Sequence, residues 1–199
     1  MTTLALIRHA PTDWNARKLL QGRTDIPLSA EGEELAASWC LPGDLAGARL
    51  ISSPLSRAMQ TARLITGRAC ETDPRLTEMD FGAWEGRSLA DLRTENLLAM
   101  QAEEDRGWDM TPPGGESPRT VWTRVAPLLG KWAEAGQPVV AVTHKGVIRA
   151  ILARAWGWDF LGKPPARLQS GALHRLRLMP DGSPAIIAVN EALDRKDIS

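Results

Sequence analysis

Short, unbroken apolar runs alternate with longer stretches of helical periodicity along this chain. Thr3–His9 reads Thr-Leu-Ala-Leu-Ile-Arg-His, and Pro138–His144 reads Pro-Val-Val-Ala-Val-Thr-His. Runs of this length, apolar at successive positions, predict strands buried on both faces. Arg49–Ser53 predicts a third. Leu55, Ala58, Met59, Ala62 and Ile65 recur at helical spacing, with Pro54 placed for the first helical position and Gly67 for the stop. Ser29 caps a helix carrying Leu35, Ala36 and Trp39 on its apolar face, with Glu31, Glu33 and Glu34 near its positive end. Ser117-Pro118 starts another, faced by Val121, Trp122, Val125, Leu128, Leu129 and Trp132; Pro127 inside it predicts a kink or a break. Val147, Ile148, Ile151, Leu152, Ala155 and Trp156 mark the next helix. Ala172–Met179 and Ala185–Val189 flank a Pro-Asp-Gly-Ser-Pro turn and predict an antiparallel edge. The alternation specifies an α/β domain with a largely parallel sheet. Residues 80–116 interrupt it and read as an inserted cap, so a single domain over 1–199 is expected.

Composition narrows the partners. The chain has 199 residues and a formal net charge of +0. No nucleic-acid or anionic-membrane partner is therefore expected from overall charge. Cys40 and Cys70 show no metal or redox spacing, and no apolar run reaches membrane-spanning length. A cytoplasmic location is the expectation.

Three predicted strands end in one kind of chemistry. They finish at Arg8-His9, at Ser52-Ser53 with Arg57 just beyond, and at Thr143-His144 before Lys145-Gly146. Parallel strands bring such ends to one sheet edge, where open α/β sheets bind ligands. Two arginines, two histidines and a helix N-terminus at one edge suit a phosphoryl group. Each feature alone has a bland reading as a solvated charge or a turn; their coincidence at three strand ends carries the argument.

The same residues carry a resemblance. Leu6-Ile7-Arg8-His9-Ala10-Pro11-Thr12-Asp13-Trp14-Asn15, Gln21-Gly22 with Asp25–Ser29 and Gly32, Ser52–Ala62, Leu76–Gly86, Pro113–Ser117 and Val142–Arg149 resemble, in order, the signature blocks of the histidine phosphatase superfamily, the phosphoglycerate mutase-like proteins. The phosphatase branch, of the α-ribazole phosphatase type, is the nearer likeness. Ala10 stands where the family usually has Gly, and so does Lys145.

The resemblance implies a phosphoglycerate mutase-like three-layer α/β/α sandwich. Its sheet would be mostly parallel with an antiparallel edge strand, and it would carry an inserted helical cap. It implies a metal-independent phosphomonoesterase with no cofactor. His9 would be the nucleophile, Glu78 the general acid, and Arg8, Arg57 and His144 would neutralise the phosphoryl group, with Asn15 as a further donor. Thr12, Gln21, Phe81, Trp84 and Thr143 are candidate substrate contacts. Glu85 and Glu116 stand next in line for the acid role, and Trp108 is a candidate wall residue. The implied partner is a small phosphorylated substrate, α-ribazole phosphate among the options, and a homodimer is the family-based expectation. Two rivals share the motifs: a phosphoglycerate-type mutase and a non-catalytic phospho-ligand-binding module. The third histidine, His174, lies outside every motif and reads as structural or exposed.

Overall fold

A computed structural model of the chain describes residues 1–196; positions 197–199 of the expected domain lie outside the described residues. The strands are β1 (Thr2–Arg8), β2 (Trp39–Cys40), β3 (Arg49–Ser52), β4 (Glu71–Thr72), β5 (Val139–Thr143), β6 (Ala172–Leu178), β7 (Pro184–Ala192) and β8 (Asp194–Arg195). The helices are α1 (Asp13–Ala16), α2 (Ala30–Ala37), α3 (Ser56–Thr66), α4 (Leu89–Glu95), α5 (Leu97–Glu104), α6 (Pro118–Ala135) and α7 (Lys145–Trp156). The main sheet runs β4-β3-β5-β1-β6-β7. Its first four strands are parallel; β6 runs antiparallel to both β1 and β7, so the antiparallel edge is a hairpin. β2 and β8 form a separate small pair.

Strand alternation builds the layers. Leu4, Leu6, Val139 and Ala141 face one side and meet Val121, Val125, Ile148 and Ile151 of α6 and α7. Ala5, Ile7, Val140 and Val142 face the other and meet Ala36, Ala58, Ala62 and Ile65 of α2 and α3. Each strand thus buries both faces, as continuous apolar runs require. The 81–117 stretch holds α4, α5 and short turns, with Trp84, Leu92 and Met100 as its own small core.

Two expectations change. α6 is unbroken through Pro127. Pro127 and Thr123 both lie on the exposed face, so water can satisfy the carbonyl that a missing N–H leaves free. α3 begins at Ser56, two residues after Pro54. Its first turn is capped from outside, by Asp25 accepting from the Ser56 N–H at 2.8 Å and from the Ser56 hydroxyl at 2.7 Å. Among the described residues, no helix is long and apolar enough to cross a membrane.

Candidate active site

Register aligns the three strand ends. Arg8 pairs with Thr143 and Ser52 with Val142, and beyond the strands the His9 N–H donates to the Thr143 carbonyl at 3.0 Å. His9 and His144 are thereby brought together, ring centroids 5.2 Å apart. Arg8, His9, Asn15, Arg57 and Glu78 line one cavity of about 1280 Å³. His144 stands behind that wall, fully buried.

His9 has a fixed tautomer. Its Nδ1 lies 2.7 Å from the Ala10 carbonyl, which can only accept, so Nδ1 carries the proton and Nε2 the lone pair. Burial, then the charges of Arg8 and Arg57, hold the imidazole pKa well below its ordinary value. A neutral ring with a free Nε2 is a competent nucleophile. Ala10 is not among the residues of positive φ, and its N–H donates to Thr61 Oγ1 at 2.9 Å, so alanine sits there without strain.

Arg57 has no exposed surface. It donates to the Thr24 carbonyl at 2.9 Å and the Gly22 carbonyl at 2.7 Å, which ties the 22–24 loop to α3. The Nε of Arg57 and the Nε of Arg8 are buried without partners among the described residues. Burial lowers the pKa of both guanidinium groups, with Glu78 opposing. Unpaired buried guanidinium N–H groups at one wall are donors awaiting an anion.

His144 Nε2 lies 2.7 Å from Ser53 Oγ. That oxygen also accepts from the Leu55 N–H at 3.3 Å. The other ring nitrogen, Nδ1, is buried without a partner among the described residues, and it is a donor in the tautomer whose Nε2 accepts from Ser53. Burial, then His9 and Arg57, depress the His144 pKa far below the usual value. Ser53 lay inside the quoted strand-end motif, yet nothing in the sequence marked it as the partner of His144.

Glu78 is held by backbone. Its Oε1 accepts from the Met79 N–H at 2.8 Å and the Gly146 N–H at 3.0 Å. The α7 N-terminus expected to meet the anion therefore meets the Glu78 carboxyl at its second residue. A Cβ on Gly146 would lie 2.4 Å from that oxygen, so glycine is what lets the acid approach. Burial raises the Glu78 pKa, against those two N–H donors and the arginines. The loop bearing it is fixed by Arg124, which donates to the Arg75 carbonyl, to the Thr77 carbonyl at 2.7 Å and to the Glu78 carbonyl at 3.2 Å. Arg124 escaped notice in the sequence, because an arginine on an amphipathic helix reads as a solvated charge.

The weaker candidates divide. Asn15, Gln21, Phe81 and Trp84 lie on the cavity wall. The Asn15 Oδ1 accepts from the Thr12 N–H at 3.0 Å, which turns its amide NH₂ outward. Thr12 is not a wall residue; it is buried and caps α1. Thr143 is likewise absent from the wall and donates to the Leu76 carbonyl at 2.6 Å, bracing the Glu78 loop. Glu85 is spent on the Arg23 and Thr24 N–H groups, and Glu116 on Arg124, Arg23 and the Asp80 N–H. Trp108 packs edge-on to Phe160 instead of walling the cavity. His174 is buried in β6. Among the described residues no three His, Cys, Asp or Glu side chains form a metal-binding group.

A parallel α/β sheet whose strand ends gather two arginines, two neutral histidines and a buried carboxyl defines a phosphoryl-transfer type of site. The family model described as "Histidine phosphatase superfamily (branch 1)" matches residues 4–192, and the chain belongs to that superfamily. A curated relative from Proteus mirabilis, named "Probable phosphoglycerate mutase GpmB", is 32% identical over 184 residues, which cover 88% of this chain and 85% of the relative. Among solved structures, the mycobacterial glucosyl-3-phosphoglycerate phosphatase complexed with VO3 is 27% identical with a TM-score of 0.79, over 96% of this chain and 100% of that one. An Escherichia coli K-12 protein, whose name provisionally assigns it as an alpha-ribazole-5'-P phosphatase, is 26% identical with a TM-score of 0.76, over 97% and 98% of the two chains. The chain is thus a phosphatase-type enzyme of the superfamily.

Proposed function

We propose that the protein is a metal-independent phosphomonoesterase that works through a phosphohistidine at His9. The carrying observation is the His9 ring. Its Nδ1–H is tied to the Ala10 carbonyl, and its Nε2 lone pair is left free at a wall shared with Arg8 and Arg57. The unpaired N–H groups of the two arginines neutralise the phosphoryl oxygens, with His144 as a further, uncharged donor, and stabilise the transferring group. His9 Nε2 attacks phosphorus in line as the ester P–O bond breaks. Glu78, whose pKa burial raises above the ordinary carboxyl value, gives its proton to the departing alkoxide. The Glu78 carboxylate then takes a proton from water, which attacks phosphorus; the P–N bond breaks and neutral His9 returns with inorganic phosphate.

The substrate in this reading is a small diffusible phosphoester in the cytoplasm, with α-ribazole phosphate one option, and the enzyme acts as a monomer or a homodimer. The formal charge of +0 gives no pull toward nucleic acid or an anionic membrane. The mutase alternative draws on the name of the Proteus relative and shares the first half-reaction; it differs in returning the phosphoryl group to product. Release of inorganic phosphate from para-nitrophenyl phosphate, insensitive to exhaustive chelation, is the expected result. Failure to release phosphate would overturn the reading, and interconversion of phosphoglycerates without net phosphate release would replace it with the mutase. Loss of activity on chelation, restored by a divalent ion, would move the chemistry to metal-assisted hydrolysis.

A further inference from the structure

The cavity is far more cationic than a single phosphoryl group requires. Beyond Arg8 and Arg57 its wall carries Arg17, Lys18, Arg93, Lys145, Arg149 and Arg167, against the carboxylates of Glu78, Glu104 and Asp105. Glu104 is already paired with Arg93, and Asp105 accepts from the Gln101 amide. In a chain of formal charge +0, this is a concentrated positive field. No ion pair among the described residues engages Lys145, Arg149 or Arg167.

Arg149 is held in place by aromatic rings. Its guanidinium lies 5.1 Å from the Trp158 ring centroid and 5.3 Å from that of Phe160, and its Nε is buried without a partner. The two rings stack at 4.6 Å, and Trp108 meets Phe160 edge-on at 4.8 Å. The Trp108 indole N–H donates to the Trp158 carbonyl at 3.1 Å. Phe160 has φ of +68°, a costly conformation for a residue with a side chain. A guanidinium stacked on rings by a strained segment, with an unsatisfied buried N–H, is preorganised for a ligand. Lys145 precedes it by one helical turn on the same face of α7. Burial, then the charges of Arg8 and Arg149, hold the Lys145 ammonium pKa below its usual range, with Glu78 opposing.

We infer that Arg149 and Lys145 form a second anion subsite, so that the substrate is a phosphomonoester bearing a further carboxylate or phosphate. The inference rests on the phosphatase reading for the position of the transferred group. Lys145 and Arg149 lie in the first two turns of α7, on the same cavity wall as His9, Arg8 and Arg57.

The test compares kcat/KM for n-butyl phosphate, for the phosphate ester of γ-hydroxybutyrate and for butanediol bisphosphate. One charge-assisted arginine contact corresponds to roughly ten- to hundredfold. At least one charged ester should exceed butyl phosphate by that factor, and which one does so distinguishes carboxylate from phosphate. Arg149→Gln and Lys145→Gln should each shrink the ratio, and Arg149→Lys should keep part of it, covering the case in which loss of the stacked charge impairs folding. Equal rates on all three esters, or a ratio untouched by Arg149→Gln, would overturn the subsite. If no ester is hydrolysed, the phosphatase reading fails on its own. Calorimetric binding of phosphonopentanoate against butylphosphonate then reads the subsite independently, with the same preference expected and equal affinity overturning it.

Discussion

Replacing Gly146 by alanine separates chemistry from stability. The new Cβ would sit 2.4 Å from Glu78 Oε1 and 3.1 Å from Met79 Cβ, distances that cannot both stand. The carboxyl is the part that can move, and moving it breaks its bonds from the Gly146 N–H at 3.0 and 3.2 Å. Lost hydrogen bonds to a carboxyl cost about 1–2 kcal/mol. Alanine in place of glycine in a helix returns up to about 1 kcal/mol. Stability should therefore change little, by a few degrees in Tm at most for a chain of this size, on the scale of about 2–4 °C per kcal/mol. Activity should change a great deal. A misplaced general acid forfeits roughly 10²–10⁴-fold on an alkyl ester, whose alkoxide needs the proton. A nitrophenolate leaves without it, so para-nitrophenyl phosphate should lose no more than about tenfold by the same reasoning. The assay is kcat/KM for both esters, which reports steps up to His9 phosphorylation and so excludes the later base role of Glu78. A folded Gly146→Ala protein that hydrolyses alkyl esters at the wild-type rate, or slows equally on both esters, would refute the acid assignment.

Glu78→Gln should show the same leaving-group dependence with the pocket intact, read by rapid-quench phosphorylation with both ester types. Arg57→Lys should both weaken substrate binding and strand the Gly22 and Thr24 carbonyls, costing about 1–3 kcal/mol for each left without a donor, measurable by urea unfolding. His174 gives a pH test. Burial lowers its pKa to about 4, so below the ordinary value of 6.5 the unfolded chain binds a proton that the fold refuses. Its contribution holds above pH 6.5 and is lost as pH falls toward about 4, by about 3 kcal/mol. His174→Asn, which keeps an acceptor for the Asn190 N–H, should flatten that acid slope in urea titrations; an unchanged slope would contradict it.

The elements legible in the sequence were those whose signal is local. The buried runs at 3–9 and 138–144 and the Ser29 and Ser117 caps have counterparts in β1, β5, α2 and α6 within a residue or two. The two-residue strands β2, β4 and β8 were not legible, because so short a pairing is set by neighbours and leaves no periodicity. The site divides in the same way. His9, Arg8, Arg57 and Glu78 sit in contiguous motifs at element ends, and the structure gathers them at one wall. Thr12 and Thr143 lie in those motifs too, but a hydroxyl next to a candidate catalytic residue serves equally well as a cap or a brace, and sequence cannot tell which. Ser53, Arg124 and the aromatic seat of Arg149 depend on contacts between distant segments. A glycine at 146 was visible, while its reason, the approach of Glu78 from another loop, was not.

The central claim is that phosphorus passes through His9. Mixing enzyme with a radiolabelled phosphomonoester, quenching within milliseconds and mapping the label tests it most directly. The account predicts stoichiometric, acid-labile label on His9, formed faster than steady-state turnover and absent from His9→Ala. Label on another residue, retained label in His9→Ala, or full turnover by that variant would contradict it.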